Sequence, residues 1–136
     1  MDRQLGLWID HRQAYLIRNG TRKVEVIPSN VRRREKFTGG ARIGGAYNQN
    51  LDSELRHNDH YQLQLEKYYA QVIKTLQQAD SILIMGPGEA KLELKKALQK
   101  HGDLRNRLVK VESADKMTVN QMLAHVRLFY EEISNN

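Results

Sequence analysis

The chain contains no cysteine, which removes disulfides, thiolate nucleophiles and zinc-thiolate sites together. It has no apolar run approaching the roughly 20 residues that cross a bilayer. The opening decapeptide MDRQLGLWID has an acid at position 2 and no long apolar core, so it does not read as a signal peptide. The cytosol is the expected compartment, with no membrane partner. There is no internal repeat or low-complexity tract, and no serine stands in a nucleophile-elbow pattern, which leaves acyl transfer without support. What is present is an ordinary globular composition, 40% hydrophobic and 28% charged. The 136 residues read as one domain, 1–136, long enough to bury roughly 68% of the surface its unfolded chain exposes. The charge balance is less ordinary. A net charge of +6 and a pI near 9.7 favour an anionic partner, nucleic acid before acidic membrane.

Hydrophobic periodicity orders the chain. Residues 5–10, LGLWID, alternate Leu5, Leu7 and Ile9 against Gly6, Trp8 and Asp10, and residues 14–18, AYLIR, are rich in β-formers; both predict strands joined by a turn at His11-Arg12. Asn19-Gly20 predicts a two-residue type I′ hairpin turn, and residues 22–27 a third strand ended by Pro28. From about His60 to Gln78, Tyr61, Leu65, Tyr68, Tyr69, Val72, Ile73 and Leu76 recur at spacings of three and four, predicting a long helix. The two adjacent tyrosines share that aliphatic stripe and read as core, not as a base-stacking platform. SILIM, residues 81–85, suits a strand buried on both faces. A helix over about 90–101 follows, then a strand at 107–111 parallel to SILIM. A last helix is opened by the capping-box pair Thr118 and Gln121, with Met122, Leu123, Val126 and Tyr130 as its apolar stripe. Three antiparallel strands followed by helix, strand, helix, strand, helix is the order of an α/β, ribonuclease-H-like fold, a mixed five-stranded sheet flanked by helices.

One stretch stands outside this regularity. Residues 29–58 hold Arg32, Arg33, Arg34, Lys36, Arg42 and Arg56 against Glu35, Asp52 and Glu54, so +3 of the +6 total falls here. They also hold the glycine pairs Gly39-Gly40 and Gly44-Gly45. So long an irregular segment in a compact domain is usually functional or disordered. It reads as a mobile, basic, glycine-containing loop. Each arginine or lysine can neutralise a phosphate, and glycines let the backbone approach RNA closely. Because aromatics are not interleaved, recognition is expected by charge and shape and not by base identity. The competing reading is a solvated loop without a ligand.

Several motifs taken in series resemble a known family. LGLWID, then AYLI, then the basic glycine-containing loop, Arg56-His57-Asn58 with Tyr61, SILIMGPGEAKLELKKAL and ESADKMT are similar, over nearly the whole chain, to the central domain of archaeal and eukaryotic class-1 peptide chain release factors and of Pelota-type ribosome-rescue proteins. Bacterial relatives of these factors are similar through GPGEAKLELKKAL and ESADKMT. The resemblance implies a ribonuclease-H-like fold and a translation role with the ribosome, ribosomal RNA or tRNA as partner. It also marks a departure. Release factors carry Gly-Gly-Gln at the loop tip, where the glutamine helps position the hydrolytic water. The match here is Gly39-Gly40-Ala41, and Gly44-Gly45-Ala46 fails in the same way. Alanine offers no amide, so peptidyl-tRNA hydrolysis by that mechanism is not expected, as in Pelota, which also lacks the triplet.

Other chemistries are thinner. A metal-dependent nuclease needs several converging carboxylates; Asp10 ends the first strand, but Asp80 precedes the fourth and Glu66 is placed only by helix phase, so Asp10 reads as a solvent-facing or turn-capping acid. His57 and His60 are spaced for one helical face but lack a third ligand, and read as part of a helix start. Gly86-Pro87-Gly88-Glu89-Ala90 lacks the Lys-Ser/Thr of a phosphate loop and reads as a turn, with Glu89 at the positive end of the helix it precedes. No cofactor is expected. The expectation is an RNA- or ribosome-binding protein without hydrolase activity, whose contacts are Arg32, Arg33, Arg34, Lys36, Gly39, Gly40, Arg42, Gly44, Gly45 and Arg56; the alternatives are a nuclease using Asp10 and a protein-interaction or oligomeric module without nucleic acid.

Overall fold

A computed structural model describes the backbone of residues 3–31 and 47–135, and the side chains of 3–31 and 59–135. Five strands form one sheet: β1 (Gln4–Ile9), β2 (Gln13–Arg18), β3 (Val24–Pro28), β4 (Ser81–Gly86) and β5 (Leu108–Ser113). Their spatial order is β3-β2-β1-β4-β5. β2 is antiparallel to both β1 and β3, while β4 is parallel to β1 and β5 parallel to β4. This mixed sheet with flanking helices has the ribonuclease-H-like order. The helices are α1 (Tyr47–Leu76), α2 (Ala90–Leu98), the single turn α3 (Gly102–Arg105) and α4 (Val119–Ser134).

Strand alternation decides which helix packs where. Leu5, Leu7 and Ile9 of β1, with Ile82 and Ile84 of β4, share a buried cluster with Leu65, Tyr68, Tyr69, Val72, Ile73 and Leu76 of α1 and Leu94 and Leu98 of α2. Trp8, Leu83 and Met85 point to the opposite face and pack on Met122, Val126 and Tyr130 of α4. The result is a three-layer arrangement, α1 and α2 on one face and α4 on the other. The contact with α4 is close at Gly6, where an added Cβ would come within 2.3 Å of Val126 Cγ2. Tyr130 Oη donates to the Leu5 carbonyl at 2.6 Å and Trp8 Nε1 to the Asp115 carbonyl at 3.2 Å, so the polar tips of both buried aromatics have partners.

Three expectations are corrected. The long helix begins at Tyr47, not near His60, so the irregular segment expected over 29–58 ends by residue 46. Tyr47, Leu51 and Leu55 already recur at i, i+4; the polar and glycine-rich surroundings conceal that spacing. The Asn19-Gly20 turn is not type I′. Only Gly20 has positive φ (92°), as the third position of a type II turn requires. Nor is it a two-residue connection, since Ile17 pairs with Val24 and β3 starts there. Finally, the helix over 90–101 stops at Leu98, and α3 fills part of the gap before β5. The capping box held: the Thr118 hydroxyl accepts from Gln121 N at 3.1 Å, and the Gln121 side chain accepts from Thr118 N at 2.9 Å.

Candidate functional site

β1 and β4 are parallel neighbours, so their carboxyl ends lie side by side, and β3 ends at the same edge. Ligands of open α/β sheets bind outside such ends. Here a cleft of about 590 Å³ is lined by the β1–β2 turn at Asp10–Arg12, the residues leaving β3 at Pro28–Val31, and Pro87–Glu89 beyond β4.

Each wall is tied down by local chemistry. Asp10 Oδ1 accepts from the backbone N–H of Arg12 (2.8 Å) and of Gln13 (2.9 Å), which is how an Asp side chain closes a tight turn. The Arg12 carbonyl accepts from Ser29 N at 2.9 Å, and Ser29 Oγ accepts from Val31 N at 3.2 Å. Asn30 between them is left-handed (φ 56°), a conformation Asn tolerates better than most residues. Val31 packs half-buried against the core. The chain is thus anchored to the β1–β2 turn up to the residue where the basic segment starts.

The loop after β4 is held more tightly still. Gly86 has φ 154°, and a Cβ there would sit 2.1 Å from the Ile9 carbonyl oxygen. Only glycine allows β4 to approach β1 in this way. Lys91, buried in the first turn of α2, donates from Nζ to the Gly88 carbonyl at 2.5 Å. The Gly-Pro-Gly loop is therefore a turn closed by its own helix.

Behind the cleft, Tyr68 Oη donates to the Asp10 carbonyl at 3.0 Å. Tyr69 Oη donates to Glu93 Oε1 at 2.6 Å, and His11 Nε2 lies 3.0 Å from the same oxygen. Burial raises the pKa of both phenols well above the usual tyrosine value, with the nearby Asp10 charge adding to it at Tyr68 and the Glu93 hydrogen bond and charge at Tyr69. Both therefore stay protonated and act as donors, joining α1 to the β1–β2 turn and to α2.

Of the residues expected to bind RNA, Arg32, Arg33, Arg34, Lys36, Gly39, Gly40, Arg42, Gly44 and Gly45 lie outside the described residues. Arg56 falls within α1, with its side chain outside them. What is described is the frame around the segment. Tyr68 is level with the end of β1, and at 1.5 Å per residue the start of α1 at Tyr47 lies about 30 Å farther along the helix axis. The acids weighed for a nuclease do not converge. Asp80 Oδ2 accepts from Arg3 N at 2.6 Å at the opposite edge of the sheet, and Glu66 lines a groove between α1 and α2. Among the described residues, no group of three or more His, Asp or Glu is placed to hold a metal ion, and no helix is long and apolar enough to cross a membrane. Sequence reasoning missed the His11–Glu93–Tyr69 contact. Its partners are 82 and 24 positions apart, and only the packing of α1 and α2 on one face brings them together.

No family model matches the chain, and no curated protein matches it. Among solved structures it is similar to Pelota from Archaeoglobus fulgidus, with 15% identity and a TM-score of 0.48, over 96% of this chain and 36% of that one. It is also similar to the archaeal translation termination factor aRF1, with 15% identity and a TM-score of 0.40, over 96% of this chain and 39% of that one. The chain spans little more than a third of the length of either.

Proposed function

We propose that this chain is a cytosolic, translation-associated protein that binds ribosomal RNA or tRNA through residues 32–42, in the manner of a release-factor central domain or rescue factor without the hydrolytic step. The observation that carries the reading is the frame of the basic segment. It begins after Val31, which is fixed at the carboxyl edge, and leads to a helix whose first residue, Tyr47, lies about 30 Å along the helix axis from Tyr68, the residue bonded to the end of β1. The segment that follows Val31 holds Arg32, Arg33, Arg34, Lys36 and Arg42, a concentration of positive charge suited to a large polyanion. The serial resemblance of LGLWID, Arg56-His57-Asn58, GPGEAKLELKKAL and ESADKMT to release-factor central domains supports the choice of ribosomal RNA or tRNA. Ala41, where those factors have glutamine, supports the absence of peptidyl-tRNA hydrolysis.

The test is co-sedimentation with ribosomes across a salt series, comparing wild type with the Arg32→Ala/Arg33→Ala/Arg34→Ala variant. The expected outcome is saturable binding whose salt slope falls by roughly 0.7 to 0.9 log units per lost phosphate contact. Wild-type protein that fails to sediment at low salt overturns the reading. Binding that is indifferent to salt and to the substitutions points instead to a protein-interaction module.

A further inference from the structure

A second groove lies at the other end of the sheet. Arg18 pairs with Leu5 near the start of β1, whereas Ala14 pairs with Ile9 at its end, so at 3.4 Å per residue this groove is about 14 Å or more from the carboxyl-edge cleft. Its volume is about 590 Å³. The connection between β2 and β3 forms one wall with Arg18 and Arg22, and α4 forms the other with Asn120 and Arg127; the half-buried Leu123 contributes apolar surface, above the buried Ile17.

The charge of this groove is of one sign. Among the described residues no carboxylate lines it. Arg18 meets Glu25 at 3.6 Å, with both side chains substantially exposed, and an ion pair of that kind contributes little. Among the described residues Arg22 and Arg127 have no acidic partner within 4.0 Å. The carboxyl-edge cleft differs, with Asp10 and Glu89 in its lining beside Arg12 and His11.

Both walls are anchored by hydrogen bonds or packing. Asn19 Nδ2 donates to Gln4 Oε1 at 2.8 Å and Asn19 N to the Gln4 carbonyl at 2.9 Å, while Thr21 N and Oγ1 both donate to the Arg18 carbonyl. These bonds hold the turn that carries Arg22. Asn120, Leu123, Ala124 and Arg127 stand at i, i+3, i+4 and i+7 on one face of α4. That helix is locked to β1 by Val126 over Gly6 and by the Tyr130 hydrogen bond. Arg22 and Arg127, which among the described residues have no carboxylate partner to give up, suit phosphate because the guanidinium fork matches phosphate geometry. The apolar surface between them suits the face of a ribose.

We propose that this groove binds the sugar–phosphate backbone of single-stranded RNA, as a contact separate from residues 32–42. The assignment stands on the groove alone and does not require the reading of the basic segment.

The experiment measures fluorescence anisotropy of a labelled single-stranded oligouridine across a salt series. It compares wild type, the Arg22→Ala/Arg127→Ala variant and the Arg32→Ala/Arg33→Ala/Arg34→Ala variant, each first shown to keep the wild-type Tm. Arg22 and Arg127 are chosen because neither supports the core. Loss of about 1.4 in log–log salt slope in the Arg22/Arg127 variant, 0.7 for each contact, supports the groove. Unchanged slope and affinity in that variant overturns it, whatever the other variant does. If only the Arg22/Arg127 variant loses binding, the groove stands and the basic-segment reading falls. In parallel, titration with inorganic phosphate should shift the amide NMR signals of Asn19–Arg22 and Asn120–Arg127; an absence of shifts there counts against the assignment. Polyglutamate bound as tightly as oligouridine, and lost in the same variant, would also overturn it by showing a site for any polyanion.

Discussion

The two ends of the sheet are made by the same strands and are held in opposite ways. At the carboxyl end, Gly86 has no space for a methyl group, Asp10 is consumed by its own turn, and two buried phenols are bonded to Asp10 and Glu93. At the amino end, Gly20 has nothing within 4 Å of where its Cβ would be, and three arginines line an open groove. Backbone contact fixes the first end, so its polar groups are spent on structure. The second end is fixed a layer deeper, by Gly6 and Tyr130, and its surface charge remains available to a ligand.

The glycines are the sharpest way to break this contrast. Gly86→Ala puts a methyl against a backbone carbonyl at a φ that L residues avoid, and should cost about 3 kcal/mol or more in urea unfolding. Gly20→Ala meets only its own φ of 92° and should cost about 1 kcal/mol. Equal costs would mean that the carboxyl end is not specially constrained.

The buried phenols extend the comparison, since Tyr68 and Tyr69 serve the carboxyl end and Tyr130 the amino end. All three have pKa values raised above 10.0, chiefly by burial. The unfolded chain therefore loses these protons first as pH rises. Their contribution to stability is complete below about pH 10 and falls above it, by up to about 1.4 kcal/mol per pH unit for each phenol. Tyr68→Phe and Tyr130→Phe should each flatten that alkaline decline while costing about 1 kcal/mol at neutral pH, because the Asp10 or Leu5 carbonyl loses its donor. Denaturant titrations from pH 7 to about 11 read both effects.

The smallest effect separates structure from chemistry at Asp10. Asp10→Ala should cost about 1 kcal/mol through two unsatisfied backbone N–H groups, and Asp10→Asn less than half of that, because the amide oxygen still accepts. A magnesium-dependent RNA cleavage that Asp10→Asn abolishes without loss of stability would revive the nuclease reading.

Much of the fold could be read from local patterns. Residues 82–85, ILIM, are all apolar because β4 lies between β1 and β5 and is covered by helices on both faces. The Thr118–Gln121 capping box is a contact within one turn, so spacing alone announces it. The stripe from Tyr61 to Leu76 marked the face of α1 that became core. Less legible were features whose cause lies elsewhere in the chain. The start of α1 at Tyr47 was hidden because Leu51 and Leu55 sit among polar residues and follow two glycine pairs. The β2–β3 connection is less legible because Asn19 is held by Gln4, a residue on another strand.

The candidate sites divide along the same line. Charge content and its concentration at residues 32–42 are properties of the sequence, since they need no neighbour to exist. The gathering of Arg18, Arg22 and Arg127 is not, because it depends on α4 crossing the sheet at Gly6 and bringing residue 127 beside a turn more than 100 positions earlier. The kinds of element, their order and the sign of the charge follow from short-range spacing and composition. Which end of the sheet uses its polar groups in backbone hydrogen bonds, and which leaves them facing solvent, depends on how closely elements distant in sequence approach each other, and so follows from the packing of the folded chain.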